Sequence, residues 1–173
     1  MKHYKKDILD VIVIENDVHH DDRGFFYESF VKKKFDEIVG KEITFVQDNC
    51  AYSKLGVLRG MHYQDTPYAQ GKLISVIRGE IYDVALDLRK ESASYGKWTS
   101  EYLSSKNKKQ MWIPEGFAHG YLAMTDDVFI NYKTTNYYSK KHEHVIAYNN
   151  PLFQIEWPSE IEYIISEKDL IDS

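Results

Sequence analysis

Cysteine is almost missing: Cys50 stands alone among 173 residues, so the chain can form no internal disulfide and no thiolate metal cluster. Nowhere is there an apolar run long enough to cross a bilayer as a helix. The opening M-K-H-Y-K-K-D-I-L-D is basic, as a secretion signal would be, but Asp7 and Asp10 break its apolar stretch and no small-residue cleavage site follows. The expectation is a cytoplasmic protein with no membrane partner. Cations are the minority charge, 22 Lys and Arg against 27 Asp and Glu, for a net charge of −5. That balance argues against nucleic acid as a partner and leaves any anion site to a local cluster of cations. The glycine patterns of dinucleotide-binding and phosphate-binding loops are absent, so hydride and phosphoryl transfer have no support. No repeat, low-complexity tract or linker divides the chain, which predicts one domain over residues 1–173.

Aromatic residues are abundant: 14 Tyr, 8 Phe and 3 Trp. Tyrosine joins a broad apolar face to a hydroxyl and suits both strand packing and the lining of a polar pocket. Turn signals at 78–80, 95–97, 114–116 and 125–127 punctuate short strand-like runs from residue 58 onward, which predicts an all-β sandwich or barrel. Residues 11–14 and 43–52 read as further strands. Between them Val31, Phe35 and Ile38 recur at spacings of four and three ahead of Gly40, predicting one short amphipathic helix over 31–39. Over 81–88 the period is two: Tyr82, Val84, Leu86 and Leu88 share one face, and Ile81, Asp83, Ala85 and Asp87 the other. Two carboxylates there suit either a solvated face or the mouth of a polar cavity. Near its end the chain makes a charged S-E-K-D turn.

Residues 57–72, V-L-R-G-M-H-Y-Q-D-T-P-Y-A-Q-G-K, carry the densest chemistry. They place Arg59, His62 and Lys72 on two neighbouring extended segments. Imidazole is the side chain best suited to accept a proton near neutral pH. Two cations beside it suit a substrate that arrives charged and develops more negative charge as it reacts. Singly, each has an ordinary reading: a solvated strand-edge cation, or a satisfied core histidine. Tyr132 and Tyr138 likewise read alone as strand packing, and Glu143 as a solvated carboxylate. Arg23 and Glu28 flank an aromatic strand, Gln47 and Asn49 supply amides, and His119 ends a P-x-G-x-x-H pattern that resembles the second half of the cupin signature. A metal-binding cupin would supply H-x-H in its first half, where this chain reads His62-Tyr63-Gln64. A first-row metal would be left one ligand short of two histidines and a carboxylate. The expectation is chemistry with no metal and no other cofactor.

Taken in order, D-x-R-G-x-F-x-E, Q-x-N, L-R-G-x-H-x-Q, Q-G-K-L, G-E-I-x-D-V-x-x-D-L-R, P-E-G-F-A-H-G, N-Y-K and S-E-K-D, spread over residues 21–169, resemble the dTDP-4-dehydrorhamnose 3,5-epimerase family. The resemblance implies a cupin-type jelly-roll β-barrel, acting as a homodimeric isomerase on a nucleotide-diphosphate sugar. The reaction would invert dTDP-4-dehydro-6-deoxy-D-glucose at C3 and C5 to dTDP-4-dehydro-L-rhamnose, for cell-surface polysaccharide such as lipopolysaccharide. By the same resemblance His62 would be the base, held by Asp169, and Tyr132 the acid on the opposite face of the ring. Lys72 would stabilise the enolate oxygen, with His119 close by and Asp83 behind it. Arg23, Glu28, Gln47, Asn49, Arg59, Glu143 and Lys168 would contact the substrate, and Tyr138 would stack in the nucleotide pocket. Two positions depart from the family pattern: Tyr121 stands where H-G-F has Phe, and Asn150 where W-N-D-P has Asp. Neither has a chemical role in this scheme.

The chemistry is coherent without the name. Deprotonation beside the C4 carbonyl of a 4-keto sugar gives an enolate, so inversion at C3 or C5 needs a base on one face, an acid on the other and a cation at the oxygen. A histidine, a tyrosine and a lysine can fill those roles. Three other readings remain open on the residues: an epimerase of another nucleotide 4-keto sugar, or one acting at C3 alone; a metal-dependent cupin oxygenase or isomerase; and a non-catalytic cupin that binds sugar nucleotides.

Overall fold

The computed structural model describes residues 1–8 and 10–172. Two antiparallel sheets face one another. The first runs in the order β1 (Lys2–Lys5), β2 (Ile12–Glu15), β10 (Lys109–Ile113), β7 (Lys72–Arg78), β12 (Val128–Thr134), β5 (Gln47–Ser53). The second runs β13 (Glu143–Val145), β6 (Val57–Gln64), β11 (Phe117–Ala123), β8 (Glu80–Asp87), β9 (Trp98–Ser104), with β14 (Ile164–Ile165) joining β6 in parallel. Among the described residues, strands β3 (His19–Asp21) and β4 (Gly24–Phe26) pair only with each other. Strands remote in sequence lie side by side in both sheets, which is the jelly-roll arrangement of the cupin barrel expected from the sequence.

Apolar side chains from both inner faces fill one end of the barrel, among them Ile74, Ile81, Met111, Phe117, Val128 and Ile130. A second cluster seals the outside of the first sheet, where helix α1 (Lys32–Val39) lays Phe35 against Phe45 and Trp112 with ring centroids 5.3 Å from each. Gly40 ends that helix at φ 79°, a conformation open to glycine, and its N–H donates to the Asp36 carbonyl at 2.8 Å. The helix thus lies within a residue of its expected position. Strand β5 is shorter than expected: residues 43–46 leave the sheet so that Ile43 and Phe45 can join the helix cluster. Strand β1 has no apolar alternation to announce it, being exposed at all four positions.

Strand β8 does not present its carboxylates to solvent or to a cavity mouth, as its period of two suggests. A third cluster, built by Met61, Val84, Leu86 and Ala118 under Phe153 and Trp157, covers the outer face of the second sheet. Strand β8 is therefore covered on both sides, and Asp83 and Asp87 are 0% exposed, neither solvated nor at a cavity mouth. Asp87 accepts hydrogen bonds from Arg89, Ser92 and Ser94 and ties down the turn that follows its strand. Burial opposes its ionisation, but the Arg89 and serine donors outweigh this and hold the carboxyl well below the usual range.

Candidate active site

Strand alternation aims a set of polar side chains into a cavity of ≈ 390 Å³ between the sheets. Gln47 and Asn49 alternate on β5, Ile130 and Tyr132 on β12, His119 and Tyr121 on β11. Arg59 and His62 are three residues apart and would face opposite ways on a regular strand, yet both line the cavity. The reconciliation lies at Gly60, whose φ of +122° turns the chain where the pairing of β6 with β11 shifts register. A Cβ on Gly60 would sit 2.5 Å from the Gly120 Cα and 2.8 Å from the His119 carbonyl oxygen, so this close backbone approach requires glycine. It leaves His62 directly opposite His119.

His62 Nε2 lies 2.6 Å from Asp169 Oδ1, with the carboxylate side chain 3% exposed and the imidazole 25%. The carboxylate is held there by a one-turn 3-10 helix, Glu167–Asp169, docked against β6. Burial opposes ionisation of Asp169, but the hydrogen bonds from His62 and Ser166 prevail and keep its pKa below the ordinary value. An ionised carboxylate only accepts, so the His62 Nε2 carries the proton and Nδ1 the basic lone pair. The second histidine repeats the pattern in a drier setting: His119 Nε2 is 2.7 Å from Asp83 Oδ1, at 9% and 0% side-chain exposure. Burial pushes His119 down and Asp83 up, both toward neutrality, and Lys72 lowers His119 further.

From the first sheet, facing His62, come Lys72 and Tyr132. Lys72 is buried and its Nζ donates to the His62 carbonyl at 3.1 Å. Burial lowers its pKa to about 8, against the opposing pull of Asp83 and Glu143. Burial also raises the Tyr132 phenol above its ordinary value. Arg59 is braced by the Ser53 hydroxyl at 3.2 Å and the Tyr52 carbonyl at 3.1 Å. Tyr138, 53% exposed at the rim, donates from its hydroxyl to Glu143 at 2.9 Å and from its backbone N–H to the Gln47 side-chain Oε1 at 3.1 Å. Lys168 reaches the cavity from the turn that carries Asp169.

Ten of the sequence-derived site residues therefore line one cavity, with Asp169 and Asp83 behind its two histidines. Arg23 and Glu28 lie elsewhere. Arg23, with its side chain 90% exposed, is bonded to Asp21, and Glu28 to Lys34, on or beside the separate β3–β4 hairpin. Sequence reading missed Tyr121, Ala51 and Ile130, all two residues along a strand from named positions, so the strand period was the signal available. It also undervalued Gln64, whose amide donates to the Tyr68 and Tyr137 carbonyls at 2.7 and 3.1 Å and accepts from the Ser139 N–H at 2.7 Å. That one side chain clips the two loops at the cavity mouth together. Among the described residues no group of three or more His, Cys, Asp or Glu side chains is placed to hold a metal ion.

The arrangement offers a carboxylate-oriented imidazole on one wall, an ammonium poised near neutral pH, and a phenol on the opposite wall. Such a set can take a proton from an acidic C–H bond and return one from the other side.

Comparison with known proteins shows the family and the fold. A dTDP-4-dehydrorhamnose 3,5-epimerase of Shigella flexneri is 50% identical over 96% of this chain and 91% of its own length. The crystal structure of the corresponding 3,5-epimerase from Legionella pneumophila, in complex with dTDP-4-keto-L-rhamnose, superposes with a TM-score of 0.93 at 43% identity, covering 97% of this chain and 89% of that one. A 3'-monoepimerase from Streptomyces bikiniensis in complex with dTDP-quinovose has a TM-score of 0.90 at 30% identity, over 96% of this chain and 84% of its own. The profile of the dTDP-4-dehydrorhamnose 3,5-epimerase family matches residues 5–172, and this chain belongs to that family of isomerases.

Proposed function

We propose that this protein converts dTDP-4-dehydro-6-deoxy-D-glucose to dTDP-4-dehydro-L-rhamnose by inverting C3 and C5. The observation that carries the reading is the convergence of the His62–Asp169 pair with Lys72 and Tyr132 from the facing sheet on one cavity. His62 removes the proton beside the C4 carbonyl, and Asp169 fixes its tautomer and stabilises the imidazolium that forms. Lys72 meets the charge growing on the enolate oxygen, in a site dry enough to make that interaction strong. Tyr132 delivers a proton to the opposite face. His119, with Asp83 behind it, lines the cavity opposite His62 on the neighbouring strand. Arg59 and Lys168 supply local cations for the diphosphate, Gln47, Asn49 and Glu143 polar contacts, and Tyr138 a ring at the rim for the nucleotide base.

Arg23 and Glu28 enter the scheme through a homodimer. A lone two-stranded hairpin has little stability of its own, and this one exposes 55% of Phe25 and 67% of Phe26. A second copy covering those rings would receive Arg23 and Glu28 near its own cavity; sedimentation as a monomer at micromolar concentration would overturn that part. A nucleotide sugar is an anion that does not cross membranes unaided, which supports a cytoplasmic site of action, where nucleotides are made.

Incubation with dTDP-4-keto-6-deoxyglucose in heavy water, followed by NMR, tests the reaction. Deuterium at both C3 and C5 with L-sugar product is the expected result. Deuterium at C3 alone would favour the C3-only reading, to which the likeness to a monoepimerase lends weight. No exchange would defeat the assignment.

A further inference from the structure

We infer that Asp172, gripped by Asn150 and the Ala147 N–H, is a positioning residue that holds Asp169 behind the imidazole of His62; the inference rests on the catalytic reading above. The turn carrying Asp169 is short, and what it supplies itself is the Ser166 side-chain bond to the Asp169 carboxyl and the 2.9 Å backbone bond between the same two residues. It spans three residues, has no side-chain cap at Ser166, and its second backbone bond, Leu170 N–H to the Glu167 carbonyl, is 3.3 Å long. Upstream it is tethered by β14, only two residues paired with β6 at Val57 and Leu58. Downstream its apolar side chains are half or more exposed, Leu170 by 50% and Ile171 by 70%.

The anchor on that side is polar. Asp172 Oδ1 accepts from the Ala147 N–H at 2.6 Å, and Oδ2 accepts from Asn150 Nδ2 at 2.8 Å. Asn150 is itself oriented, because its Oδ1 accepts from the Leu152 N–H at 2.9 Å. The grip is placed where it matters. Ala147 follows Ile146, which exchanges two 2.9 Å backbone bonds with Met61, the residue before His62. Base and carboxylate partner are thereby referred to the same piece of backbone. The Asn at 150, where the family pattern has Asp, fits this role. A carboxylate there would face Asp172 across a hydrogen-bond distance, with no proton to share at neutral pH.

The donor pattern provides a swap test. Asn150→Asp sets carboxylate against carboxylate, and Asp172→Asn sets amide donor against amide donor. The double variant Asn150→Asp with Asp172→Asn restores one donor and one acceptor in reversed order, while both outer backbone bonds keep acceptors. Each single change should lower kcat about tenfold with KM nearly unchanged, as loosened support of a reacting group does. The double variant should return to within about twofold of wild type on the same grounds. Histidine side-chain ¹⁵N spectra, recorded without substrate, should show the Nε2–H tautomer of His62 in wild type and in the double variant, and a mixture of tautomers in each single variant. Unchanged kcat and an unchanged His62 tautomer in both single variants would overturn the inference. So would a double variant no better than the worse single one. A wild-type chain that exchanges neither C3 nor C5 would dismiss the epimerase reading alone, and the ¹⁵N comparison would then decide the role of Asp172.

Discussion

Lys72→Met should stabilise the fold while removing activity, and the size of the gain follows from burial. The Lys72 amine titrates at about 8 in the folded chain instead of 10.5, because burial disfavours its charged form and Asp83 and Glu143 offset this only in part. At neutral pH that shift corresponds to about 3 kcal/mol of folding free energy lost to keeping the charge inside. Substitution also removes the hydrogen bond to the His62 carbonyl, which costs about 1 kcal/mol. Methionine has nearly the same length and no charge, so a net gain of about 2 kcal/mol is expected. Below pH 8 the amine is charged in both states and the whole cost is present. Between pH 8 and 10.5 the unfolded chain holds a proton that the folded chain has released, so this group makes wild-type stability rise with pH; above 10.5 the cost is gone. Urea unfolding of both proteins at pH about 7 and about 10 measures the difference directly. A variant less stable than wild type at neutral pH would refute the reasoning, as would a gap that does not narrow as pH rises. The same titration should shape catalysis: wild-type kcat/KM should fall above pH about 8 as Lys72 loses its proton.

His62→Ala should lower solvent exchange at both carbons by at least about two to four orders of magnitude and leave nucleotide binding measurable by calorimetry. Tyr132→Phe keeps the ring and removes the proton donor, so washout of substrate deuterium should persist while inverted product forms far more slowly; equal losses in both rates would show that Tyr132 is not the opposite-face acid. Exhaustive chelation should leave turnover unchanged, and loss of activity rescued by iron, manganese or zinc would contradict that. Phe35→Ala should cost about 3–5 kcal/mol in urea unfolding by opening the cluster with Phe45 and Trp112, with kcat little affected because that cluster lies outside the barrel.

The all-β class and the single helix were legible because period and punctuation are local signals. The helix shows in the spacing of Val31, Phe35 and Ile38 before Gly40, and the turn at 166–169 shows in its charge. The cavity set was legible because the motifs carried a family resemblance; alternation alone would not have joined β5, β7 and β12 to β6 and β11. What stayed hidden depends on tertiary partners. Asp83 and Asp87 look like a solvated face until the 146–157 segment is seen covering the outer side of their sheet. Arg23 and Glu28 fall on and just beyond a hairpin that the cavity of the same chain does not include. Asn150 looked like a neutral departure, and only the path of the tail reveals that it meets Asp172.

Gln64 bears on how this barrel could change its chemistry over evolutionary time. It occupies the place where a metal-binding relative in the wider cupin class would put its second histidine, which suggests that one mutation could convert one chemistry to the other. Its amide, however, satisfies two backbone carbonyls and one N–H across two loops. A neutral imidazole has one donor and one acceptor, so a histidine there would lose at least one of the three loop bonds, at a cost of about 1 kcal/mol. The newcomer would also find His62 and His119 already engaged with carboxylates. That single change would therefore loosen the loops at the cavity mouth while the two histidines stay claimed by their carboxylates, so a metal site here needs more than one substitution.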